Sequence, residues 1–204
     1  VIQLIADFTE ADDIIAHVIN NPRYEGWKKT IISSDKDFFQ LCRPDVQIYR
    51  PIQKKIVTHE TIIEEFKIHP NNFALARAMA GDASDNLPGV KGAGLKTIAK
   101  RFSFLGRDQD YEVSDILKEC AMVGKKLKIH ENVQASGDLI KSNYQIMQLY
   151  HPNIRPLNRE LINNAVRDFE PYFDKIKFTQ MLFADDAGHL NFSDLLQVFR
   201  KIKR

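Results

Sequence analysis

Four of the nine glycines in this 204-residue chain fall between Gly81 and Gly94, with carboxylates at one end of the stretch and lysines at the other. It runs Gly81-Asp82-Ala83-Ser84-Asp85-Asn86-Leu87-Pro88-Gly89-Val90-Lys91-Gly92-Ala93-Gly94-Leu95-Lys96-Thr97. Glycine adopts backbone conformations closed to other residues, and Pro88 offers no amide donor, so the chain must turn here. Gly89, Gly92 and Gly94 allow a turn whose amides can approach a ligand closely. Leu95 to Phe102 then reads as a helix whose N-terminus favours an anion. Lys91, Lys96, Lys100 and Arg101 add a sequence-independent attraction for a phosphate backbone. On the glycines alone, an ordinary loop between helices with solvated lysines explains the pattern equally well.

Two further acidic clusters lie upstream. Apolar alternation over Val1 to Phe8 predicts a strand, and Ile14, Ile15, Val18 and Ile19 recur at helical spacing. Thr9-Glu10-Ala11-Asp12-Asp13 therefore falls at a strand-to-helix junction. Thr9 is the expected N-cap, and a capping box with Asp12 is a purely structural use for one or two of the acids. Thr30-Ile31-Ile32 reads as a buried parallel strand, with Ser33-Ser34-Asp35-Lys36-Asp37 at its end. Ligands of open α/β sheets bind beyond the carboxyl ends of the strands, which is where both clusters are expected.

Asp82 and Asp85 form the third cluster. The carboxylates of Glu10, Asp12, Asp13, Asp35, Asp37, Asp82 and Asp85 would repel one another in a common pocket unless divalent cations neutralised them. Oxygen donors suit magnesium or manganese better than zinc. Cys42 and Cys120 are the two cysteines and form no CxxC pair, which argues against structural zinc, and the six histidines are scattered. Two ions roughly 3.5–4 Å apart would activate a water and stabilise the leaving oxygen in phosphodiester hydrolysis.

In order, Glu10-Ala11-Asp12-Asp13, Ser34-Asp35-Lys36-Asp37 and Gly81-Asp82-x-Ser84-Asp85-Asn86-x-Pro88-Gly89-Val90-x-Gly92-x-Gly94 resemble successive motifs of the flap endonuclease, or structure-specific 5′-nuclease, family. The resemblance covers Val1 to about Phe102, and the chain looks closest to phage members of the T-even ribonuclease H type. It implies an α/β fold with a partial parallel sheet flanked by helices, a helix-three-turn-helix DNA-binding element and a mainly helical C-terminal region. Residues 1–86 would then be the C-terminal part of a nuclease core, 87–102 the DNA-binding element and 103–204 the helical region. The resemblance further implies Glu10 and Asp12 as ligands of a first metal, with Asp13 nearby. Asp35, Asp37 and Asp85 match a second site, with Asp82 in its outer shell. Gly89, Lys91, Gly92, Gly94 and Lys96 would meet the phosphates of a duplex. Two magnesium ions, replaceable by manganese, and a potassium ion at the glycine-rich turn complete the implied set.

The implied activity is that of a 5′→3′ exonuclease or flap endonuclease that removes RNA primers during DNA replication. Its substrates would be DNA with a 5′ flap or a nicked or overhanging duplex, or an RNA–DNA hybrid. The implied setting is a monomer in the cytoplasm, the host's if phage-encoded, with a single-strand-binding protein or sliding clamp as partner. Family members begin with a metal-binding strand and an arch. A chain opening at Val1 without either reads as a C-terminal portion of a longer protein, which alone would hydrolyse poorly. The competing class is a non-catalytic, structure-selective DNA-binding module; a helix-hairpin-helix glycosylase gives no reason for three carboxylate clusters.

Composition adds bounds rather than identity. A hydrophobic fraction of 44% supports one sizeable core, and no apolar run is long enough to span a membrane. The net charge of +2 divides unevenly, with 13 acidic against 10 basic residues over 1–90 and 14 against 19 over 91–204. Short strands are expected at Val46–Tyr49 and Lys55–Val57, followed by a helix from Thr58, its cap, to Phe66. Further helices are expected at Phe73–Ala80, Val113–Met122, Gly137–Tyr150, Arg159–Phe169, Lys175–Phe183 and Phe192–Ile202. Gly124 to Lys128 reads as a solvated loop. Phe169, Tyr172, Phe173 and Phe178 read as core residues rather than base-stacking ones. Phe192, Leu195, Leu196 and Phe199 read as the buried face of a closing helix that ends in the cations of Arg200 to Arg204.

Overall fold

A computed structural model of the chain describes residues 2–170, 174–187 and 189–200. Its sheet contains β1 (Lys29–Ile32), β2 (Val46–Arg50) and β3 (Lys55–Val57), in that spatial order. β1 and β2 are parallel, with Ile31 opposite Ile48; β2 and β3 are antiparallel, with Ile48 opposite Val57. The sheet is therefore mixed and not parallel throughout. Pro51–Lys54 is long enough for a turn between β2 and β3 but far too short for the crossover that a parallel pair requires. Ile31, Ile48 and Val57 face a common core.

The strand expected over Val1 to Phe8 does not form: residues 2–6 carry no regular structure, and Asp7 and Phe8 make a turn. Their alternation serves a different contact. Leu4 and Ala6 pack on a small cluster of Ile14, Ile154, Ile162 and Val166 between α1 (Ala11–Ile19) and α8 (Pro156–Asp168), while Ile5 stays 77% exposed. Burial against helices has taken the place of strand pairing, because among the described residues no strand runs alongside to complete a hydrogen-bonded ladder.

The main core is organised by α3 (Phe73–Ala80) and α7 (Gly137–Met147). Phe73, Ala74, Leu75, Ala76, Ala78 and Met79 of α3 are all buried, and the small alanines let α7 approach closely. α2 (His59–Phe66) is capped as expected: Thr58 Oγ1 accepts the Thr61 amide at 3.4 Å, and Thr61 Oγ1 accepts the Thr58 amide at 2.8 Å. Phe66 joins Phe39 and Phe73 in an aromatic cluster whose ring centroids lie 5.3–5.9 Å apart. α4 (Leu95–Arg101), α5 (Val113–Met122) and α6 (Lys128–Ala135) close the far side through Ile98, Phe102, Leu105, Ile116 and Val133. α6 begins at Lys128, where a solvated loop was expected to end. The His130 ring accepts the Leu127 amide at 3.2 Å and is itself buried, so this start is fixed by tertiary packing.

Helix ends differ where a competing partner exists. α7 stops at Met147 and does not continue to Tyr150, because the Leu149 amide donates to Gln40 Oε1 at 2.7 Å. α8 begins three residues earlier than expected, with Pro156 at its first position, where the missing amide costs nothing. α9 (Lys175–Ala184) and α10 (Phe192–Arg200) are helical but hold no fully buried residue among those with described side chains. Phe183 meets Phe192 at 5.6 Å, so these two helices pack on each other and leave the expected core face half-buried at Phe192, Leu195 and Leu196. Phe178 is likewise half-buried. Tyr172, Phe173 and Lys201 to Arg204, as well as the side chains of Phe199 and Arg200, lie outside the described set.

Buried Asn143 of α7 donates to the carbonyls of Ala78 at 3.0 Å and Pro88 at 2.9 Å. Asn143→Ala leaves the buried Ala78 carbonyl and the part-buried Pro88 carbonyl without this donor, at an expected cost of about 2 kcal/mol. A thermal melt should show a midpoint about 4–8 °C lower.

Candidate functional site: an acidic cavity beside a glycine-rich turn

A cavity of about 630 Å³ is lined by Glu10, Asp12, Asp13, Asp35, Asp37 and Asp85, together with Phe8, Leu87, Asn153 and the end of α7. The sheet, α1 and the segment after α3 bring these acids together. β1 ends at Ile32 and releases Asp35 and Asp37, while the N-terminus of α1 presents Glu10, Asp12 and Asp13. The N-cap position is Glu10 and not Thr9, and no side-chain capping bond forms there. Thr9 Oγ1 instead accepts from Asn158 Nδ2 at 3.1 Å. The capping box that could have accounted for Asp12 is absent, which leaves its carboxylate facing the cavity.

Asp82 completes a tighter group. Ligand-capable oxygens of Asp37, Asp82 and Asp85 lie within 4.8 Å of one another. Asp82 and Leu87 exchange backbone hydrogen bonds of 2.9 and 2.8 Å, closing a loop with exposed Asp85 near its tip. Ser84 donates to Asp82 Oδ1 through its amide at 2.8 Å and its hydroxyl at 2.5 Å. Asp35 Oδ1 accepts the Asp37 amide at 2.8 Å, so the Asp35–Asp37 bend is fixed by one of its own acids.

Arg77 was not singled out from the sequence, yet it binds two members of the group. Its Nε and Nη2 lie 3.0 and 2.9 Å from Asp37 Oδ1, and Nη2 also reaches Asp82 Oδ2. The three side chains are only 14–15% exposed. The signal was present in the composition of α3: Arg77 is the lone charge in an otherwise apolar octet. Burial nevertheless pushes the Asp37 carboxyl above its ordinary value, against the pull of Arg77. Asp13 is also raised, by burial first, although its Oδ1 accepts the Asn153 amide at 3.0 Å. Asp82 goes the other way: hydrogen bonds from Ser84, reinforced by Arg77, hold it at about 2.

Gln40 secures the bend to the core. Its buried amide donates to the Asp37 carbonyl at 2.8 Å and to the Met147 carbonyl at 2.9 Å. At the end of β2, Arg50 lies 5.8 Å from the Phe39 ring centroid and donates to the Ser34 carbonyl at 3.0 Å.

The glycine-rich turn is anchored by burial of Val90 and Ala93 and by hydrogen bonds from Val90 N to Met79 O and from Ala93 N to Val90 O, both 2.9 Å. Asn132 of α6 donates to the Lys91 carbonyl at 2.9 Å. Lys91 and Lys96 are exposed. The glycines divide into two kinds. A Cβ on Gly81 would lie 2.3 Å from Gly89 N, and one on Gly89 would lie 1.9 Å from Ala80 O, so these two are required by contact between backbones. Gly92 has φ +84° and open space around its Cβ position, and Gly94 is equally unobstructed. Of the three glycines expected to admit a ligand, Gly92 and Gly94 have the room, while Gly89 is used for packing.

The donor set of this cavity consists of carboxylates and backbone or amide oxygens, with no thiolate or imidazole among its lining residues. That chemistry fits a hard divalent cation, and among the described residues Asp37, Asp82 and Asp85 are close enough to share one.

Residues 2–67 match the family described as 5′-3′ exonuclease, N-terminal resolvase-like domain. The 5′-3′ exonuclease of Aquifex aeolicus (strain VF5) is 30% identical over 173 residues, which cover 82% of this chain and 53% of that protein. DNA polymerase I of Rhizobium leguminosarum is 34% identical over 140 residues, 69% of this chain and 13% of the polymerase. Among solved structures, T5 5′-exonuclease with bound zinc superposes with a TM-score of 0.56 at 25% identity, covering 78% of this chain and 54% of that one. The α/β fold of the chain is thus shared with nucleases of known structure. The chain belongs to the 5′-nuclease family. It spans about half the length of the Aquifex exonuclease, at 53%, and a smaller part of the polymerases.

The low value of Asp82 has a consequence for acid stability. Its ordinary value is 3.8 and its folded value about 2, so its contribution is complete above about pH 4 and is lost as the pH falls toward 2. Urea denaturation followed from pH 5 to pH 2 should show this loss, and Asp82→Asn should make the profile shallower over that interval.

Proposed function

We propose that this chain carries the metal-binding carboxylates and duplex-gripping turn of a divalent-metal-dependent 5′-nuclease, which hydrolyses phosphodiesters near a 5′ end adjoining duplex. The observation that carries the reading is the convergence of Asp37, Asp82 and Asp85 within 4.8 Å at the edge of a cavity that Glu10, Asp12, Asp13 and Asp35 also line. Asp35, Asp37 and Asp85 would hold one magnesium or manganese ion, with Asp82 beside it, and Glu10 and Asp12 would belong to a second site near Asp13. Bound there, such ions would supply charge stabilisation at the scissile phosphate and an ionised water.

The chain's own groups have separable tasks in this reading. Arg77 fixes the facing oxygens of Asp37 and Asp82 and removes one unit of their repulsion. Gln40 and Asn143 hold the two acidic segments on α7, which keeps their separation constant as substrate enters. Lys91 and Lys96, with the unobstructed backbone at Gly92 and Gly94, would grip duplex phosphates; residues 87–102 would act as a helix-three-turn-helix element, with a potassium ion as an optional bridge. Residues 1–86 are then part of the nuclease core and 103–204 its helical support. Flap cleavage, exonucleolytic trimming and removal of RNA primers during replication are the activities proposed, and the cytoplasm the setting. No helix of the described residues is long and apolar enough to cross a membrane.

A non-catalytic DNA-binding module is the second reading, favoured by one observation: Arg77 already pairs two of the acids, as a structural ion-pair network would. One set of measurements separates the two. Magnesium or manganese should raise the melting temperature of the parent chain and not that of Asp37→Asn/Asp85→Asn. On a 5′-labelled flap duplex the double variant should cleave at least about 100-fold more slowly while still binding the duplex. Absence of any metal-induced shift, or equal cleavage by both proteins, would sink the nuclease reading; the former with DNA still bound would establish the binding module.

A further inference from the structure

We infer that Phe8 and Arg155 form a stacking platform for an unpaired nucleobase at the rim of the acidic cavity, an inference that rests on the nuclease reading for the presence of a nucleic-acid strand. Phe8 lines the cavity two positions before Glu10, and the residue is 85% exposed. A single exposed aromatic is ordinary on a protein surface. Three additional features set this one apart.

The first is its backbone. Phe8 has φ +57°, a left-handed conformation that an aromatic residue adopts only under constraint. The second is the constraint itself. Buried Asn158 of α8 donates Nδ2 to the Asp7 carbonyl at 2.8 Å and to Thr9 Oγ1 at 3.1 Å, gripping the chain on both sides of Phe8. A strained residue held from either flank, with its ring left in solvent, fits a residue presented to a ligand better than one that supports the fold. The third is Arg155, whose guanidinium carbon lies 4.8 Å from the ring centroid. It places a cation outside the ring of carboxylates, where the phosphate next to a stacked base would need one.

The chemistry selects the occupant. The interior of the cavity is anionic and repels a phosphodiester until cations are bound, whereas its rim at Phe8 is aromatic and cationic. A base whose own phosphate enters the cavity can lie on the Phe8 ring, with its neighbouring phosphate against Arg155. Stacking of this kind tolerates any base, so the platform would favour an unpaired strand over a duplex without reading sequence.

The test uses a duplex with a short 5′ overhang carrying 2-aminopurine as an unpaired base, with calcium in place of magnesium so that binding is read without turnover. Phe8→Gly removes the ring and at the same time relieves the left-handed strain, so its melting temperature should match or exceed the parent's. Phe8→Asn, which also tolerates this backbone, is the second variant. Expected results are quenching of 2-aminopurine by the parent and its loss in both variants. Affinity for the overhang substrate should fall about tenfold, with affinity for a blunt duplex unchanged, and Phe8→Trp should restore the signal. Undiminished quenching and affinity in folded Phe8→Gly would overturn the platform and leave the nuclease reading standing. Failure of the parent chain to bind either DNA would overturn both.

Discussion

The contact between α3 and α7 is the constraint on which the rest of the molecule depends. α3 is short and buried almost throughout, and its alanines let α7 lie close against it. From this pair extend the groups that matter: Arg77 along α3, the Gly81 loop from its end, and Asn143 and the Met147 carbonyl from α7. Bringing carboxylates together is unfavourable, and carboxylates on flexible loops would separate. Here the hydrophobic burial of two helices holds them, and buried amides transmit that position to the Asp37 bend and the Pro88 turn.

The electrostatics of the cavity are uneven as a result. On the Asp37 side, Arg77 and Ser84 provide directed hydrogen bonds, so Asp82 ionises readily, while burial raises Asp37 despite its contact with Arg77. On the α1 side, Glu10 and Asp12 receive no capping bond, and Asp13 is held by a single backbone amide. One half of the site is thus preorganised by protein cations and donors, and the other is left to whatever binds there. Buried charges persist when they are paired and hydrogen-bonded, which describes the first half and not the second.

Much of this was legible in the sequence, for identifiable reasons. The helix over Phe73–Ala80 and the strand over Lys55–Val57 have the bounds expected, because apolar content and turn residues agree there. The acidic clusters were visible as short motifs, and six of the seven acids line one cavity, with the seventh bonded beside it. What could not be read depended on partners distant in sequence. Leu4 and Ala6 alternate like a strand but pack on helices. α7 ends early because Gln40, more than a hundred residues away, takes the Leu149 amide. Thr9 has the composition of a cap but is engaged by Asn158. The start of α6 lies in a lysine-rich run whose helicity is fixed by buried His130. Gly89, read as an opening for a ligand, is needed because another backbone occupies the space a side chain would take.

That last contact limits how the chain can change over evolutionary time. Gly81 and Gly89 touch across the base of the loop that carries Asp82 and Asp85, with no room for a Cβ on either. Loop residues other than Asp82 and Asp85 can be exchanged as long as the crossing survives, but adding or deleting one there would shift the register in which the two glycines meet. Drift in this segment should therefore proceed by substitution alone, whereas the exposed connection 124–126 can absorb changes in length. The distance between the acidic group and the lysine-bearing turn is thus a dimension of the backbone, set by the number of residues the loop contains.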